Sequence, residues 1–198
     1  MGVEFFKSFA FSLALAVIAS AWVLKYGVAR RGRRYSKGRQ PIGRDDKFRI
    51  LGRVIFVLMN AVTFATFWTD SKVLLLFGQD DTLRVAGIVV LIVATLLYVK
   101  SMDHLGNNYS PCFDAHLPFR IVMRGPYRYV RHPLYLANIL QGVGYTLLGS
   151  SLWVLALSMY GSFSIMRALM QEESYLSEAF PGYESYRAKT ARLIPFIY

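Results

Sequence analysis

Five apolar segments, each close to the length needed to cross a lipid bilayer, constrain this chain more than any other feature. They occupy residues 5–26, 51–69, 83–102, 134–149 and 151–169. A helix needs about 20 mostly apolar residues to cross the hydrocarbon core, and 55% of the chain is hydrophobic, more than is usual for a soluble domain. The pattern predicts an all-α, polytopic membrane bundle of about five transmembrane helices. The last two segments meet around Gly149 and Ser151, so we expect a tight helical hairpin there.

The first apolar segment has a second interpretation as a secretory signal peptide. Ala19, Ser20 and Ala21 resemble a cleavage site. However, Glu4 offsets Lys7 before the apolar stretch, and the dense positive charge comes after it. This order of charges favours a retained span.

Positive charge is distributed unevenly between the loops. With the N-terminus outside, segments 25–53, 100–131 and 167–198 face the cytoplasm and hold 20 of the 23 Lys and Arg residues. This is the bias that orients membrane proteins. The basic run RRGRRYSKGR (30–39) is then explained by anionic lipid headgroups, and we expect no nucleic-acid partner. The compact length favours a bacterial inner membrane over the endoplasmic reticulum.

The chain contains no internal repeat and no long linker, so we expect one domain over 1–198. Three spans lie in 1–102, and two polar clusters lie in 103–198. The single cysteine, Cys112, excludes an intramolecular disulfide, and we expect no metal site. The sequence does not indicate an oligomeric state.

The first polar cluster lies at the start of the fourth span, in RYVRHPLYLANIL (128–140). Pro133 suits the first position of a helix, which places His132 at the N-cap. The free amides there, together with Arg128, Arg131 and His132, form a receptor for an anion at the membrane boundary.

Polar side chains continue down one face of this predicted helix. Tyr135, Asn138, Gln141 and Tyr145 follow at spacings of three, three and four residues. Such a stripe faces protein or a water-filled cavity. The spacing is also typical of hydrogen bonding between closely packed helices.

The second polar cluster follows the fifth span. Glu172 and Glu173 precede an amphipathic segment that we interpret as an interfacial helix closing over the bundle. Adjacent residues point in different directions on a helix, so one salt bridge cannot explain both carboxylates. One glutamate can neutralise the arginines of the first cluster, and the other is left for a cationic ligand.

These clusters together resemble a known family. The motif GPYRYVRHPLY (125–135), followed by QEESYLSEAFPGYESYRAKTARLIPFI (171–197), resembles the isoprenylcysteine carboxyl methyltransferase and phospholipid methyltransferase family of integral membrane enzymes. The likeness begins near LGNNYSP (105–111), includes HLPFRIVMRGPY (116–127) and covers the C-terminal half of the chain.

The resemblance implies that S-adenosylmethionine is the cofactor and that it lies between the Arg-His-Pro and Glu-Glu motifs, making 103–198 the cofactor-binding core. Carried over by position, the cofactor-binding residues are Gly125, Tyr127, Arg131, His132, Tyr135, Glu172 and Glu173. Tyr186 and Arg192 match the later part of the motif and border the cofactor or the acceptor. Two positions depart from the family pattern: Ala137 replaces a frequent glycine, and Pro181 precedes Gly182 where phenylalanine is usual in the prenylcysteine enzymes.

The residue types suit this chemistry. The amino-acid end of the cofactor needs a carboxylate for its ammonium and donors for its own carboxylate. Methyl transfer from a sulfonium is an in-line displacement, which requires alignment and exclusion of water. A carboxylate acceptor needs no base, whereas an amine must first lose a proton, with His132, Glu172 or Glu173 as catalytic candidates. A lipid-borne acceptor would enter laterally beside Asn138 and Gln141.

The sequence therefore predicts methyl transfer to a lipophilic or amphiphilic acceptor at the cytoplasmic membrane face, most like isoprenylcysteine carboxyl O-methylation. The sequence does not choose between a prenylated cysteine, a phospholipid amine, a small thiol and another amphiphile as the acceptor. RHPLYL (131–136) and IPFIY (194–198) also resemble the ends of NADPH-dependent sterol reductases, although those chains are much longer. A non-catalytic membrane scaffold is a third alternative, since shared architecture does not establish chemistry.

Overall fold

The computed structural model of the chain consists mainly of helices. It describes residues 2–35, 41–44, 46–68, 80–109, 114–116, 118 and 120–194. Its elements in order are α1 Gly2–Tyr35, β1 Pro41–Arg44, α2 Asp46–Ala65, α3 Asp81–Leu105, β2 Asp114–His116, α4 Pro133–Gly149, α5 Leu152–Ala179 and α6 Tyr183–Lys189. Two 3₁₀ turns lie at Gly106–Asn108 and Gly125–Arg128. Cys112 and residues 36–39 of the basic run lie outside the described residues.

The predicted all-α fold is confirmed, and each of the five predicted spans falls on one of the helices α1 to α5. In the described part of the chain, two helices are long and apolar enough to cross a membrane, Asp81–Asn108 and Leu152–Ala179. Shorter apolar helices cover Phe11–Leu24 and Ile50–Ala65. The 17 residues of α4 rise about 25 Å, which is less than the thickness of the hydrocarbon core.

The helices pack around a buried apolar centre that includes Ile18, Met59, Leu91, Leu148 and Val154. Helices α3 and α4 approach closely at Gly87, where an added Cβ would lie 2.5 Å from the backbone nitrogen of Leu148. Small residues permit such approach between membrane helices, where dispersion contacts replace the hydrophobic effect.

Two predictions about α4 can be judged from this packing. The predicted hairpin with α5 is present: Ser150 adopts a left-handed conformation with φ of 45°, and its backbone N–H donates to the carbonyl of Thr146 at 2.8 Å. At Tyr145, the lower end of the polar stripe, the hydroxyl donates to Oδ1 of Asn60 on α2 at 3.1 Å. Hydrogen bonding between helices therefore explains this member of the stripe.

The segments that were predicted to face the cytoplasm differ from the prediction in two ways. Strands β1 and β2 pair antiparallel, with Gly43 opposite Ala115, and so link two loops. In addition, the expected amphipathic helix is divided. α5 continues to Ala179, a turn follows at Pro181 and Gly182, and α6 has only seven residues. Proline restricts the residue before it and lacks an N–H, so the helix ends there.

Candidate functional site

The start of α4 is joined to the end of the described chain by backbone hydrogen bonds. His132 is the N-cap and Pro133 the first residue of α4, as the sequence predicted. The N–H of Arg131 donates to the carbonyl of Ala191 at 2.8 Å, and that of His132 to the carbonyl of Arg192 at 3.2 Å. Because of this pairing, residues 190–192 lie directly against the Arg-His-Pro motif.

A buried carboxylate holds these two segments together. Oε1 of Glu173 lies 2.8 Å from Nε of Arg131 and 3.2 Å from Nε2 of His132. Its Oε2 lies 3.0 Å from Nη2 of Arg192. We call Arg131, His132, Glu173 and Arg192 the carboxylate clamp. Two guanidinium groups beside one carboxylate keep that carboxylate ionised and strongly hydrogen-bonded.

The clamp also fixes α6. Nη1 of Arg131 donates to the carbonyl of Arg187 at 3.0 Å and to the carbonyl of Thr190. These carbonyls lie at the C-terminal end of the helix, where backbone acceptors have no helical partner. Tyr183, the first residue of α6, is 1% exposed and its hydroxyl lies 3.5 Å from Oε1 of Glu173. The arginine therefore positions the helix that carries Tyr183 and Tyr186.

On the other side of α5, Glu172 faces an open pocket. The pocket has a volume of about 120 Å³ and opens to its surroundings. Its wall is formed by the end of α3 with the turn after it, segment 120–122, the turn at Gly125–Arg128, the start of α4, and side chains from α5 and α6. The hydroxyl of Tyr135 donates to Oε2 of Glu172 at 2.6 Å. We call Tyr135 and Glu172 the pocket face.

Two buried tyrosines of the pocket wall are linked by a hydrogen bond. The hydroxyl of Tyr186 donates to the backbone carbonyl of Tyr127 at 2.6 Å. Burial raises the pKa of Tyr186, and burial followed by the charge of Glu172 raises the pKa of Tyr127. Both phenols therefore stay protonated, so the hydrogen bond from Tyr186 is retained over the physiological pH range.

Gly125 acts through the backbone. Its φ is +62°, and an added Cβ would lie 2.2 Å from Cδ2 of His104. Only glycine combines this conformation with so close a contact. The residue starts the 3₁₀ turn that carries Tyr127, and it is not part of the pocket wall.

The structure separates the residues selected from the sequence into two groups. Those in the pocket wall are Tyr127, Arg131, His132, Tyr135, Asn138, Glu172 and Tyr186. Gly125, Glu173 and Arg192 lie behind this wall, the last two in the carboxylate clamp. Gln141 is buried beside a smaller cavity with Thr95 and Tyr145.

The wall also contains residues that were not selected. They are Tyr98, Asn108, Tyr109, Arg120 and Tyr183 among others. Asn108 and Tyr109 belong to LGNNYSP, and Arg120 to HLPFRIVMRGPY, both of which were part of the resemblance. The extent of the family resemblance along the chain was therefore the sequence signal that could have identified these residues, although it assigns no role to any single side chain.

The pocket suits the ends of an adenosyl amino acid. Glu172 supplies a carboxylate for an ammonium, and the uncapped amides at the start of α4 supply donors for a carboxylate. Tyrosine rings on several sides supply apolar and aromatic surface for a base. The described residues thus fit S-adenosylmethionine.

The chain has a curated relative and a structural neighbour. It is 34% identical over 77 residues to the cobalt-zinc-cadmium resistance protein CzcN of Cupriavidus metallidurans, a match covering 38% of this chain and 35% of that protein. The chain thus spans about a third of that relative. A solved structure of the eukaryotic intramembrane Ras methyltransferase, isoprenylcysteine carboxyl methyltransferase, superposes with a TM-score of 0.51 at 19% identity. That match covers 75% of this chain and 51% of the other and establishes a shared fold.

The family comparison covers more of the chain. The sequence model of the family described as phospholipid methyltransferase matches residues 82–182, from the start of α3 to the turn after α5. This range is just over half of the 198 residues and includes the clamp members Arg131, His132 and Glu173 as well as the whole pocket face. The chain therefore belongs to the phospholipid methyltransferase family of membrane proteins.

Proposed function

We propose that the protein transfers a methyl group from S-adenosylmethionine to a lipophilic or amphiphilic acceptor at the cytoplasmic membrane face, most like carboxyl O-methylation of a prenylated cysteine. The observation that carries this proposal is Glu172. It is the one acidic residue among the described residues of the pocket wall, and Tyr135 holds its carboxylate at the start of α4. Family membership and the shared fold with a carboxyl methyltransferase support the reaction type.

Within this function, the pocket face would bind the ammonium of the cofactor, and the backbone N–H groups of Leu134 and Tyr135, in the first turn of α4, would bind its carboxylate. When bound, the cofactor supplies an electrophilic methyl group on a sulfonium. Tyr127, Tyr183 and Tyr186 surround this end of the pocket with buried rings and exclude water. Exclusion of water favours a reaction in which opposite charges disappear.

The carboxylate clamp would contribute to methyl transfer by positioning the helices around the pocket. Glu173 contacts two arginines and a histidine and is 5% exposed, so it is not available to a ligand in the pocket. We assign it a positioning function: it holds α4, α5 and α6 in register around the pocket. If the acceptor is an amine, the base candidates that reach the pocket are His132 and Glu172.

The family description supports a phospholipid amine as the alternative acceptor. Carboxyl and amine acceptors differ in the stability of the product, because a methyl ester is hydrolysed by base and releases methanol, whereas an N-methyl group is retained. The descriptions of both the family and the solved neighbour name methyltransferases, which favours this chemistry over the NADPH-dependent reductase and the scaffold.

The test supplies a radiolabelled methyl donor to membranes containing the protein. We expect label in a lipid-extractable product, released by base if the acceptor is a carboxylate. Glu172→Gln should abolish most of the labelling, whereas Glu178→Gln, an exposed glutamate of the same helix, should not. Binding of NADPH without binding of S-adenosylmethionine by the purified protein would refute the proposal in favour of a reductase. Binding of neither would favour the scaffold.

A further inference from the structure

The charged groups of the pocket do not match the roles expected from sequence. Two arginines and one glutamate line the pocket among the residues that the structure describes: Arg120, Arg131 and Glu172. Arg131 was expected to receive an anion. Its guanidinium instead contacts Glu173 and the carbonyls of Arg187 and Thr190, all within the protein.

Arg120 is placed differently. The residue is exposed, and its side chain forms no ion pair with an acidic residue in the described parts of the chain. Its backbone is held, since its N–H donates to Oδ1 of Asn108 at 3.1 Å. Asn108 in turn donates through Nδ2 to the carbonyl of Leu105 at 3.3 Å, at the end of α3. The arginine is thus anchored to the helix bundle at its backbone and retains its charge for a ligand.

The neighbourhood of Arg120 strengthens an interaction with an anion. Leu105, Ile121, Val122 and Leu134 line the same pocket. Apolar walls reduce competition from water, and a guanidinium offers paired donors that match the two oxygens of a carboxylate or phosphate. Glu172 lies in the same pocket, so a ligand with both a cationic and an anionic group finds a partner for each.

We infer that Arg120 is the oxyanion-recognising residue of this pocket and binds a carboxylate or phosphate group while Glu172 binds a cation. The inference rests on the proposed function in taking this pocket as the place where the reacting ligands bind. The oxyanion has two possible sources with the same chemistry. It is either the carboxylate of the adenosyl amino acid or the acidic head of the lipid acceptor.

The experiment compares Arg120→Gln with Arg120→Lys and with Arg124→Gln in purified full-length protein in detergent. Arg124 is an exposed arginine four residues away that is not part of the pocket wall, so its substitution removes the same charge from the same segment. Equilibrium binding is measured for S-adenosylhomocysteine, for methylthioadenosine, which lacks the amino-acid end, and for lysophosphatidylglycerol as an anionic amphiphile.

If the cofactor supplies the oxyanion, Arg120→Gln should weaken S-adenosylhomocysteine about tenfold or more, with methylthioadenosine unchanged. If the acceptor supplies it, the loss should appear with lysophosphatidylglycerol instead. In either case Arg120→Lys should retain part of the affinity, because charge remains and paired donation is lost.

Equal affinities of Arg120→Gln and Arg124→Gln for all three ligands would overturn the inference. Failure of the proposed function is a different result: the unsubstituted protein would bind neither adenosyl compound. In that event, lysophosphatidylglycerol binding that depends on Arg120 would still support the oxyanion site, and binding that does not depend on it would overturn the site as well.

Discussion

Glu172 and Glu173 are adjacent in the chain, yet they serve two regions with opposite properties. The carboxylate clamp around Glu173 is buried and its charges contact one another and the backbone of α6. In the pocket face, Glu172 is half-buried in the pocket wall, and its carboxylate accepts a hydrogen bond from the buried Tyr135. One pair of carboxylates thus contains a residue that pairs with charges inside the protein and a residue that lines the pocket.

The physical cause of this difference is helix geometry. Neighbouring residues on a helix are about 100° apart, so α5 presents one glutamate to the interior and the other to the pocket. We therefore expect substitutions in the clamp to lower the stability of the fold more than the ligand affinity, and substitutions in the pocket face to lower the ligand affinity more than the stability.

The largest effect is expected for Glu173→Gln. The substitution removes the negative charge beside the buried guanidinium of Arg131, and breaking a buried ion pair costs about 3–5 kcal/mol of unfolding free energy. Thermal unfolding in detergent measures it. A midpoint equal to that of the unsubstituted protein would show that the clamp does not hold the fold, and the comparison would fail.

Glu172→Gln should show the reverse. Loss of a charged hydrogen bond to an ammonium costs about 2 kcal/mol, or about 30-fold in affinity for S-adenosylmethionine. The unfolding midpoint should change little because the carboxylate is partly exposed. Titration calorimetry gives the affinity, with Glu178→Gln on the same helix as the matched control. Equal losses of stability in Glu172→Gln and Glu173→Gln would remove the distinction between the two regions.

Tyr135→Phe sharpens the comparison within the pocket face. It deletes the donor that orients Glu172 at 2.6 Å, and one such hydrogen bond contributes about 1 kcal/mol, or about fivefold in cofactor affinity. Tyr175→Phe, an exposed tyrosine on α5, is the control. An affinity equal to that of the control would mean that the carboxylate needs no orientation by this hydroxyl.

The smallest effect is expected for Asn138→Ala. Its Nδ2 donates to the carbonyl of Leu134 at 3.0 Å, and the residue lines the pocket one turn below Tyr135. We expect a rise of about threefold in the KM for the acceptor, as one modest hydrogen bond is lost, with cofactor affinity unchanged. Equal changes in acceptor KM and cofactor affinity would place Asn138 at the cofactor end.

Much of the fold could be predicted from local signals. Apolar length predicted the helices, and Pro133 with His132 before it predicted the first residue of α4. The fifth span was predicted to end at 169 and to be followed by an amphipathic helix, and in the structure one helix continues without a break to 179. A hydropathy pattern identifies only the apolar part of a helix. The polar turns of α5 beyond that part are stabilised by contacts with residues that are distant in the sequence, such as Arg131 and Tyr135.

The site could be predicted only to the level of its motifs. The sequence predicted that the two glutamates would have different partners, and the bonding of Glu172 and Glu173 confirms this. It could not predict that the guanidinium of Arg131 would donate to acceptors within the protein, because these acceptors include the carbonyls of Arg187 and Thr190, more than 50 residues away. The sequence also could not indicate that Arg120 lines the pocket, because its backbone position depends on a hydrogen bond to Asn108, 12 residues earlier in the chain.

The pairing of residues 191 and 192 with the start of α4 has a consequence for biogenesis. This stretch follows all five long helices in chain order. A ribosome-bound chain that has inserted α1 to α5 contains Glu173 but still lacks the backbone carbonyls of Arg187, Thr190 and Ala191 that hold Arg131, so the pocket can form fully only after α6 and the turn that follows it have emerged and folded back. Ligand binding should therefore report on completed molecules alone, which makes it a direct assay of correct assembly in the membrane.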